Sequence, residues 1–137
     1  MEIKKQFRVI VAGSRNFNDY DFLKEKLDRL LINKIKDSEI IIVSGTAYGA
    51  DKLGEKYAKE RGFKIHRYPA DWGKFGKAAG YIRNIEMLEN ADACIVFRVN
   101  NSKGSTHMID IAKEKNIPLR YYDIYDTRSN DGIGRHA

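Results

Sequence analysis

The sequence predicts an α/β fold: a single-domain Rossmann-like unit with a five-stranded parallel sheet flanked by helices on both faces. Two patterns carry this expectation. Five apolar, β-branched-rich runs occupy residues 7–12, 39–43, 64–68, 93–99 and 119–124, and their starts lie 32, 25, 29 and 26 residues apart. Each interval is about the size of one strand–helix–strand repeat. The segments between the runs place apolar residues at helical spacing, so strands and helices alternate along the chain.

The first run contains Val9-Ile10-Val11, apolar at every position, as expected for a strand covered on both faces. Leu23, Leu27, Leu30 and Leu31 then form one helical stripe, with Asn18 or Asp19 placed to cap its start. Ile40-Ile41-Ile42-Val43 is a second buried strand. Ala50, Leu53, Tyr57 and Ala58 form a second helical stripe, stopped by Gly62. The third strand, 64–68, leads into a Gly/Lys-rich loop through Gly80, and Ile82, Ile85 and Leu88 mark the third helix. After the fourth strand, Met108, Ile109, Ile111 and Ala112 mark a helix that ends before Pro118, and the fifth strand follows. Strand order 3-2-1-4-5 is the natural expectation, with a topological switch point beside the first strand. The domain is expected to span residues 1–125. Residues 126–137 lack an apolar period and are expected to form a flexible tail.

A chain of 137 residues, 42% hydrophobic and 32% charged, is long enough to bury one core without a disulfide or metal staple. Its single cysteine, Cys94, lies in an apolar run and has no internal partner, which suits a reducing compartment. No apolar stretch approaches the ~20 residues of a membrane span, and Met1-Glu2-Ile3-Lys4-Lys5 lacks a signal-peptide core, so no membrane partner and a cytoplasmic location are expected. The net charge is +6, with nine Lys/Arg against five acids in residues 1–36 and sixteen against fourteen thereafter. This surplus allows a polyanionic partner without demanding one, because a spread of lysines is usually a solvated surface.

In an open parallel sheet, ligands bind beyond the carboxyl ends of the strands. Strand one is followed by Gly13-Ser14-Arg15, and strand two by Ser44-Gly45-Thr46-Ala47-Tyr48-Gly49-Ala50-Asp51. Strand three is followed by Pro69-Ala70-Asp71-Trp72, and strand four by Asn100 to Thr106. Small residues there let backbone N–H groups approach a ligand, and the helices that follow begin with a partial positive charge. Ser44-Gly45-Thr46 and Gly104-Ser105-Thr106 have the composition of phosphate cradles. Arg15 and Arg83 are the basic residues placed to matter, since a guanidinium can grip a phosphate with two parallel bonds, and Lys77 lies in the Gly/Lys-rich segment after strand three. Asp51 could accept bonds from a ribose diol, and a base could stack on Trp72, Tyr48 or Phe75.

Several chemistries find no motif. There is no Walker A loop and no Gly-x-Gly-x-x-Gly after strand one, so no nucleotide cofactor of the usual kind is called for. His66, His107 and His136 are widely separated and no Cys-x-x-Cys occurs, so no metal is expected. Ser14 and Ser44 stand in no Gly-x-Ser-x-Gly elbow, and no catalytic residue is assigned.

Six collinear segments together resemble the YspA-like branch of the SLOG superfamily, named for the DprA/Smf and LOG proteins. They are Gly13-Ser14-Arg15; Ser44 through Asp51; Pro69-Ala70-Asp71-Trp72; Gly76-Lys77-Ala78-Ala79-Gly80; Arg83-Asn84 with Met87; and Gly104-Ser105-Thr106-His107-Met108-Ile109. The resemblance covers residues 7 to about 124 and implies a Rossmann-like fold that binds nucleotides or nucleotide-derived ligands, in a branch of largely unknown function often found in phage and mobile elements. It departs at Thr46, where the family commonly has glycine, and at Ser105, where threonine is usual. Arg83-Asn84-Ile85-Glu86-Met87 is similar to the Arg-Lys-x-x-Met motif of the LOG phosphoribohydrolases. Their glycine-rich motif also supplies an acid, and here Met108 and Ile109 stand near that position, with Asp110 the nearest carboxylate.

The leading expectation is therefore a domain that binds or senses a nucleotide or nucleotide-derived small molecule at the rim of the sheet. The expected site comprises Gly13, Ser14, Arg15, Ser44, Gly45, Thr46, Asp51, Asp71, Trp72, Lys77, Arg83, Asn84, Gly104, Ser105 and Thr106. An alternative is a phosphoribohydrolase or N-glycosidase that uses Arg83 with Asp51, Asp71 or Asp110. Single-stranded nucleic-acid binding is a third, less favoured reading, because Asp19, Asp21, Glu25 and Asp28 interleave with the lysines of the first helix. A homodimer is an expectation from the fold class alone.

Overall fold

The computed structural model describes residues 4–126, so the expected tail, apart from Asp126, lies outside the described residues. Five strands form one parallel sheet: β1 (Lys5–Gly13), β2 (Ser38–Ser44), β3 (Lys64–Arg67), β4 (Ala93–Val99) and β5 (Leu119–Ile124). Their order is β3-β2-β1-β4-β5, as the sequence pattern implied. Val9 pairs with Ile42 on one side and Ala93 on the other, and Gly13 ends opposite Phe97. The helices are α1 (Tyr20–Leu31), α2 (Ala50–Arg61), α3 (Trp72–Phe75), α4 (Ala79–Glu89) and α5 (Lys103–Glu114).

The alternation of side chains along each strand splits the core into two layers. Val9, Val11, Ile40, Ile42, Ile95 and Phe97 face α1 and α2, where they meet Leu23, Leu27, Leu31 and Tyr57. Ile10, Ala12, Val43, Cys94 and Val96 face α4 and α5, where they meet Met87, Leu88, Met108 and Ile109. Each fully buried aliphatic side chain contributes roughly 1.5–3 kcal/mol, so the two layers supply most of the driving force for folding.

Caps set the helix ends. Asp19 accepts a bond from the Phe22 amide at the start of α1. Gly62 ends α2 at φ 74, a left-handed conformation that glycine adopts without steric cost. Between β1 and α1 the chain is anchored by Phe17, which stacks on Phe97 with ring centroids 4.9 Å apart. That contact holds the β1–α1 loop down on the sheet and fixes where Ser14, Arg15 and Asn16 stand.

Two expectations need correction. The Gly/Lys-rich stretch after β3 is not a plain loop: it holds the one-turn helix α3, a 3-10 turn over Gly76–Ala78, and the start of α4. Asp71 caps α3 by accepting from the Lys74 amide, and the Gly76 amide closes it by donating to Trp72 O, so Trp72 lies in a helix. The stripe Ile82-Ile85-Leu88 is not the buried face of α4 either. Ile82 and Ile85 are each 38% exposed. The helix buries Ala79, Asn84, Met87 and Leu88 instead. It is rotated so that a polar residue, Asn84, reaches the interior beside α5.

Candidate functional site

The carboxyl ends of β1 and β4 border a cavity of about 440 Å³ at the switch point. This size falls within the range of small-molecule sites. Ala12, Met87 and Met108 give it apolar lining, and Gly13, Ser14, Arg15 and Asn16 border it from the β1–α1 loop. Ala47 and Asp51 enter from the start of α2, Trp72 and Lys77 from the α3 segment, and Gly80, Tyr81, Arg83 and Asn84 from α4. Ser102, Gly104 and Ser105 close it at the start of α5.

Three hydroxyls meet at the α5 end. Ser14 is 3% exposed and Ser105 4%. Ser14 Oγ accepts a bond from the Val99 amide at 2.7 Å, which ties β1 to β4 beyond the last ladder pair. The same oxygen bonds Ser102 Oγ and lies 3.3 Å from Ser105 Oγ. Ser102 is the N-cap residue of α5, yet its side chain makes no capping bond. Its hydroxyl is turned to Ser14 and Ser105, so the first-turn amides of α5 keep their capacity for an acceptor.

On the opposite wall, Asp51 and Arg83 meet over Gly45. A Cβ at position 45 would lie 2.7 Å from Arg83 Nη1 and 2.8 Å from Asp51 Oδ2, so any larger residue would displace one of these side-chain ends. Arg83 Nη1 donates to Gly45 O. Arg83 Nε donates to Asn84 Oδ1 at 3.1 Å. Since arginine can only donate, Asn84 must present its oxygen there and its NH2 to His107 Nδ1, 3.1 Å away. That assigns the proton of the neutral imidazole to Nε2. Arg15 is exposed and makes no ion pair among the described residues.

The electrostatics follow from burial. Burial drives the Asp51 carboxyl up to about 6, against the Ala47 amide, which donates to it, and the positive charge of Arg83. Burial likewise lowers Arg83, which Asp51 partly offsets, while Arg15 adds like-charge repulsion. Glu55, one helical turn on, behaves differently. Burial opposes its ionisation, but bonds from Ser44 and Arg67 outweigh that and hold it below the usual carboxylate range.

Five expected site residues stand outside the cavity lining. Ser44 is fully buried and donates to Glu55 Oε2 at 2.7 Å, so its hydroxyl supports the sheet edge. Gly45 contributes its carbonyl to Arg83 from behind the wall. Asp71 caps α3. Thr106 donates to Ser102 O and accepts from Arg98, which turns it toward β5. Thr46 adopts φ 66, a left-handed conformation uncommon for a β-branched residue. Ser44 Oγ, accepting from the Thr46 amide at 3.0 Å, helps to hold it there. Relief of this strain is worth ~1–2 kcal/mol, less ~0.4–1 for the greater freedom of an unfolded glycine. Thr46→Gly is thus expected to raise the melting temperature by about 2–4 °C, measurable by calorimetry.

The cavity also contains residues that sequence reasoning does not select. Ser102 carried a usable signal, since a serine immediately before a helix is a candidate cap. Tyr81 did too: it lies off the apolar stripe of its helix and directly follows Gly80. Ala47, Met87 and Met108 stand in the segments that carry the family resemblance, though it gives none of them a ligand role; Ala12 and Asn16 carried no signal, because their roles depend on which turns converge. Among the described residues no three His, Cys, Asp or Glu side chains come together to hold a metal ion. No helix among them is long and apolar enough to cross a membrane.

Comparison with known proteins agrees with this architecture. Gene 61 protein of Mycobacterium phage D29 is 35% identical over 124 residues, covering 82% of this chain and 93% of its own. Among solved structures, TM1055 is similar with a TM-score of 0.57 at 19% identity, over 84% of this chain and 72% of that one. DNA processing protein A (DprA) from Streptococcus pneumoniae is similar with a TM-score of 0.52 at 17% identity, over 85% of this chain and 58% of that one. Both structures share the fold. The sequence profile of one family matches residues 7–75, which carry the β1 turn, the Ser44–Asp51 turn and Trp72, and with the phage relative this places the chain in the YspA, cpYpsA-related SLOG family.

Proposed function

We propose that the chain binds a nucleotide or nucleotide-derived ligand in the cavity at the β1/β4 switch point. The observation that carries this reading is the pairing of two arginines with an open helix start. Arg15 and Arg83 border the same cavity as the uncapped amino end of α5, and among the described residues neither lies within salt-bridge range of a carboxylate. Such a site favours an anion. Asp51, on the same lining, can accept a bond from a sugar hydroxyl.

Calorimetric titration against nucleoside mono- and diphosphates, cyclic nucleotides and ADP-ribose tests this, with a single-stranded oligonucleotide at low salt as the polyanion control. At least one mononucleotide-type ligand is expected to bind. Arg83→Ala should weaken it roughly 10- to 100-fold, the worth of a hydrogen bond to a charged group. No binding across the panel, or equal binding by the variant, overturns the reading. Binding confined to the oligonucleotide assigns the surface to nucleic acid instead.

One observation supports a second, enzymatic reading. Asp51 is a cavity carboxyl whose pKa of about 6 lets it carry a proton near neutrality, as a general acid must when a base departs from a sugar. Of the other carboxylates considered, Asp71 is committed to a helix cap and Asp110 is exposed on α5; neither borders the cavity. Release of free base from a nucleoside monophosphate, abolished in Asp51→Asn, is the outcome this reading requires.

A further inference from the structure

Two aromatic rings on the cavity wall are packed on one side and open on the other. Trp72 is 50% exposed and Tyr81 43% exposed, and both border the cavity. The core aromatics behave otherwise: Phe17, Phe22 and Tyr122 all gather on Phe97 within 6.0 Å. Leaving a tryptophan half in water forgoes much of its burial energy, so its position calls for another role.

The two rings are supported. The amide of Gly76 donates to Trp72 O, and Asp71 caps the same turn by accepting from the Lys74 amide, so the turn that carries Trp72 is closed at both ends. The far edge of the indole, Cη2, lies 3.5 Å from where a Cβ on Gly80 would stand, and Arg83 Nη2 lies 3.7 Å from the same point. The indole therefore covers the first turn of α4, beside the guanidinium. Tyr81, the next residue, has its ring backed by His107, with centroids 4.3 Å apart and planes at 33°. His107 is itself held by Asn84.

We propose that Trp72 and Tyr81 form a stacking wall for a flat heterocycle, so that the ligand is a base-carrying nucleotide rather than a bare sugar phosphate. This deepens the nucleotide-site reading and rests on it. The chemistry of the wall selects the class. Arg83 beside the indole and Lys77 on the same lining would leave an aliphatic chain facing charges, whereas a π-system stacks on both aromatic rings and guanidinium planes. The hydroxyls and open amides at the start of α5 then take the anionic end.

Trp72 is the chain's one tryptophan, so its fluorescence reports directly on this wall. The full chain is titrated with adenosine and guanosine monophosphates, ribose 5-phosphate and inorganic phosphate, following both fluorescence and heat. The monophosphates are expected to bind and quench the indole, with ribose 5-phosphate weaker and without quenching. Trp72→Ala and Tyr81→Ala should each weaken nucleoside monophosphates roughly 5- to 100-fold and leave ribose 5-phosphate unchanged, while Trp72→Phe keeps most of the affinity. Nucleotide binding that is unaltered in both alanine variants, or ribose 5-phosphate that binds as tightly as the nucleotides, overturns the stacking wall while leaving the anion site intact. No binding by any of the four probes overturns the wall as a site for nucleoside monophosphates, and no binding across the wider nucleotide panel overturns the nucleotide site together with it. Trp72→Phe and Tyr81→Ala, checked for native unfolding behaviour, keep the test decisive should Trp72→Ala fail to fold.

Discussion

Gly13→Ala is expected to destabilise the fold by at least about 3 kcal/mol, and to remove the cavity with it. The added methyl would stand 2.2 Å from Phe97 O and 2.7 Å from the Ala50 side chain. The first of these is backbone on the neighbouring strand, so no rotamer change relieves the clash. Only a separation of β1 from β4 does, and that breaks the bond from the Ser14 amide to Phe97 O, 2.9 Å long. It also parts Ser14 Oγ from the Val99 amide. Gly104→Ala is the informative control. A Cβ there meets nothing within 4 Å, and the residue lies in the first turn of a helix, so its effect on stability should be neutral or slightly favourable. Urea unfolding of the two variants should differ by a wide margin at equal m-value. Similar midpoints would mean that β1 and β4 can slide apart without cost, contrary to the geometry of the switch point.

The same two residues show what the sequence could and could not convey. Strands were legible because the centres of β1, β2 and β4 (Val9-Ile10-Val11, Ile40-Ile41-Ile42-Val43 and Cys94-Ile95-Val96-Phe97) are apolar without alternation, as a sheet covered on both faces requires. The strand order was legible because such sheets follow few connections. Glycine at the end of β1 pointed to a close approach, yet nothing in Gly13-Ser14-Arg15 names Phe97 as the atom approached. The α3 segment reads as a loop because glycines and lysines dominate it. Its one-turn helix is set by Asp71 and Gly76, local caps with no apolar stripe between them. Site residues fared by the same logic. Arg83 and Asp51 stood out by chemistry, and the structure brings them together over Gly45. Ser44 and Thr106 stood out for the same reason, but hydrogen bonds to Glu55 and Ser102 turn their hydroxyls away from the cavity. Sequence places a hydroxyl on a turn; only packing decides which way it points.

Asp51 carries the other large expectation, and its sign can be worked through. Its folded pKa of about 6 lies above the ordinary 3.8, with burial the principal cause. The folded state therefore holds this proton more tightly than the unfolded chain does. As pH rises past 3.8 the unfolded chain releases it first, and stability falls until pH passes about 6, after which the loss is complete. The gap corresponds to about 3 kcal/mol. Asp51→Asn keeps an oxygen for the Ala47 amide and has nothing to titrate. The variant should match the native protein near pH 4 and exceed its stability by about 3 kcal/mol at pH 7.5. Asp28, Glu55, Asp92 and Asp123 have lowered pKa values and pull the other way, since each loses its contribution as pH falls. All are common to both proteins, and Asp28, Asp92 and Asp123 cancel in the difference; Glu55, whose charge also raises the Asp51 pKa, is eased by the loss of its neighbour. A difference that stays flat between pH 4 and 7.5, or a variant less stable at pH 7.5, would show that the charge opposite Arg83 is worth more than its burial costs. A buried carboxylate that weakens the fold at neutral pH, on the lining of a cavity with two arginines, is a feature that folding alone does not account for. The proposed nucleotide site would supply a reason: a sugar hydroxyl donating to Asp51 would favour its ionised form. A bound nucleotide should therefore lower the pKa of Asp51 and flatten the native protein's pH profile toward that of the variant.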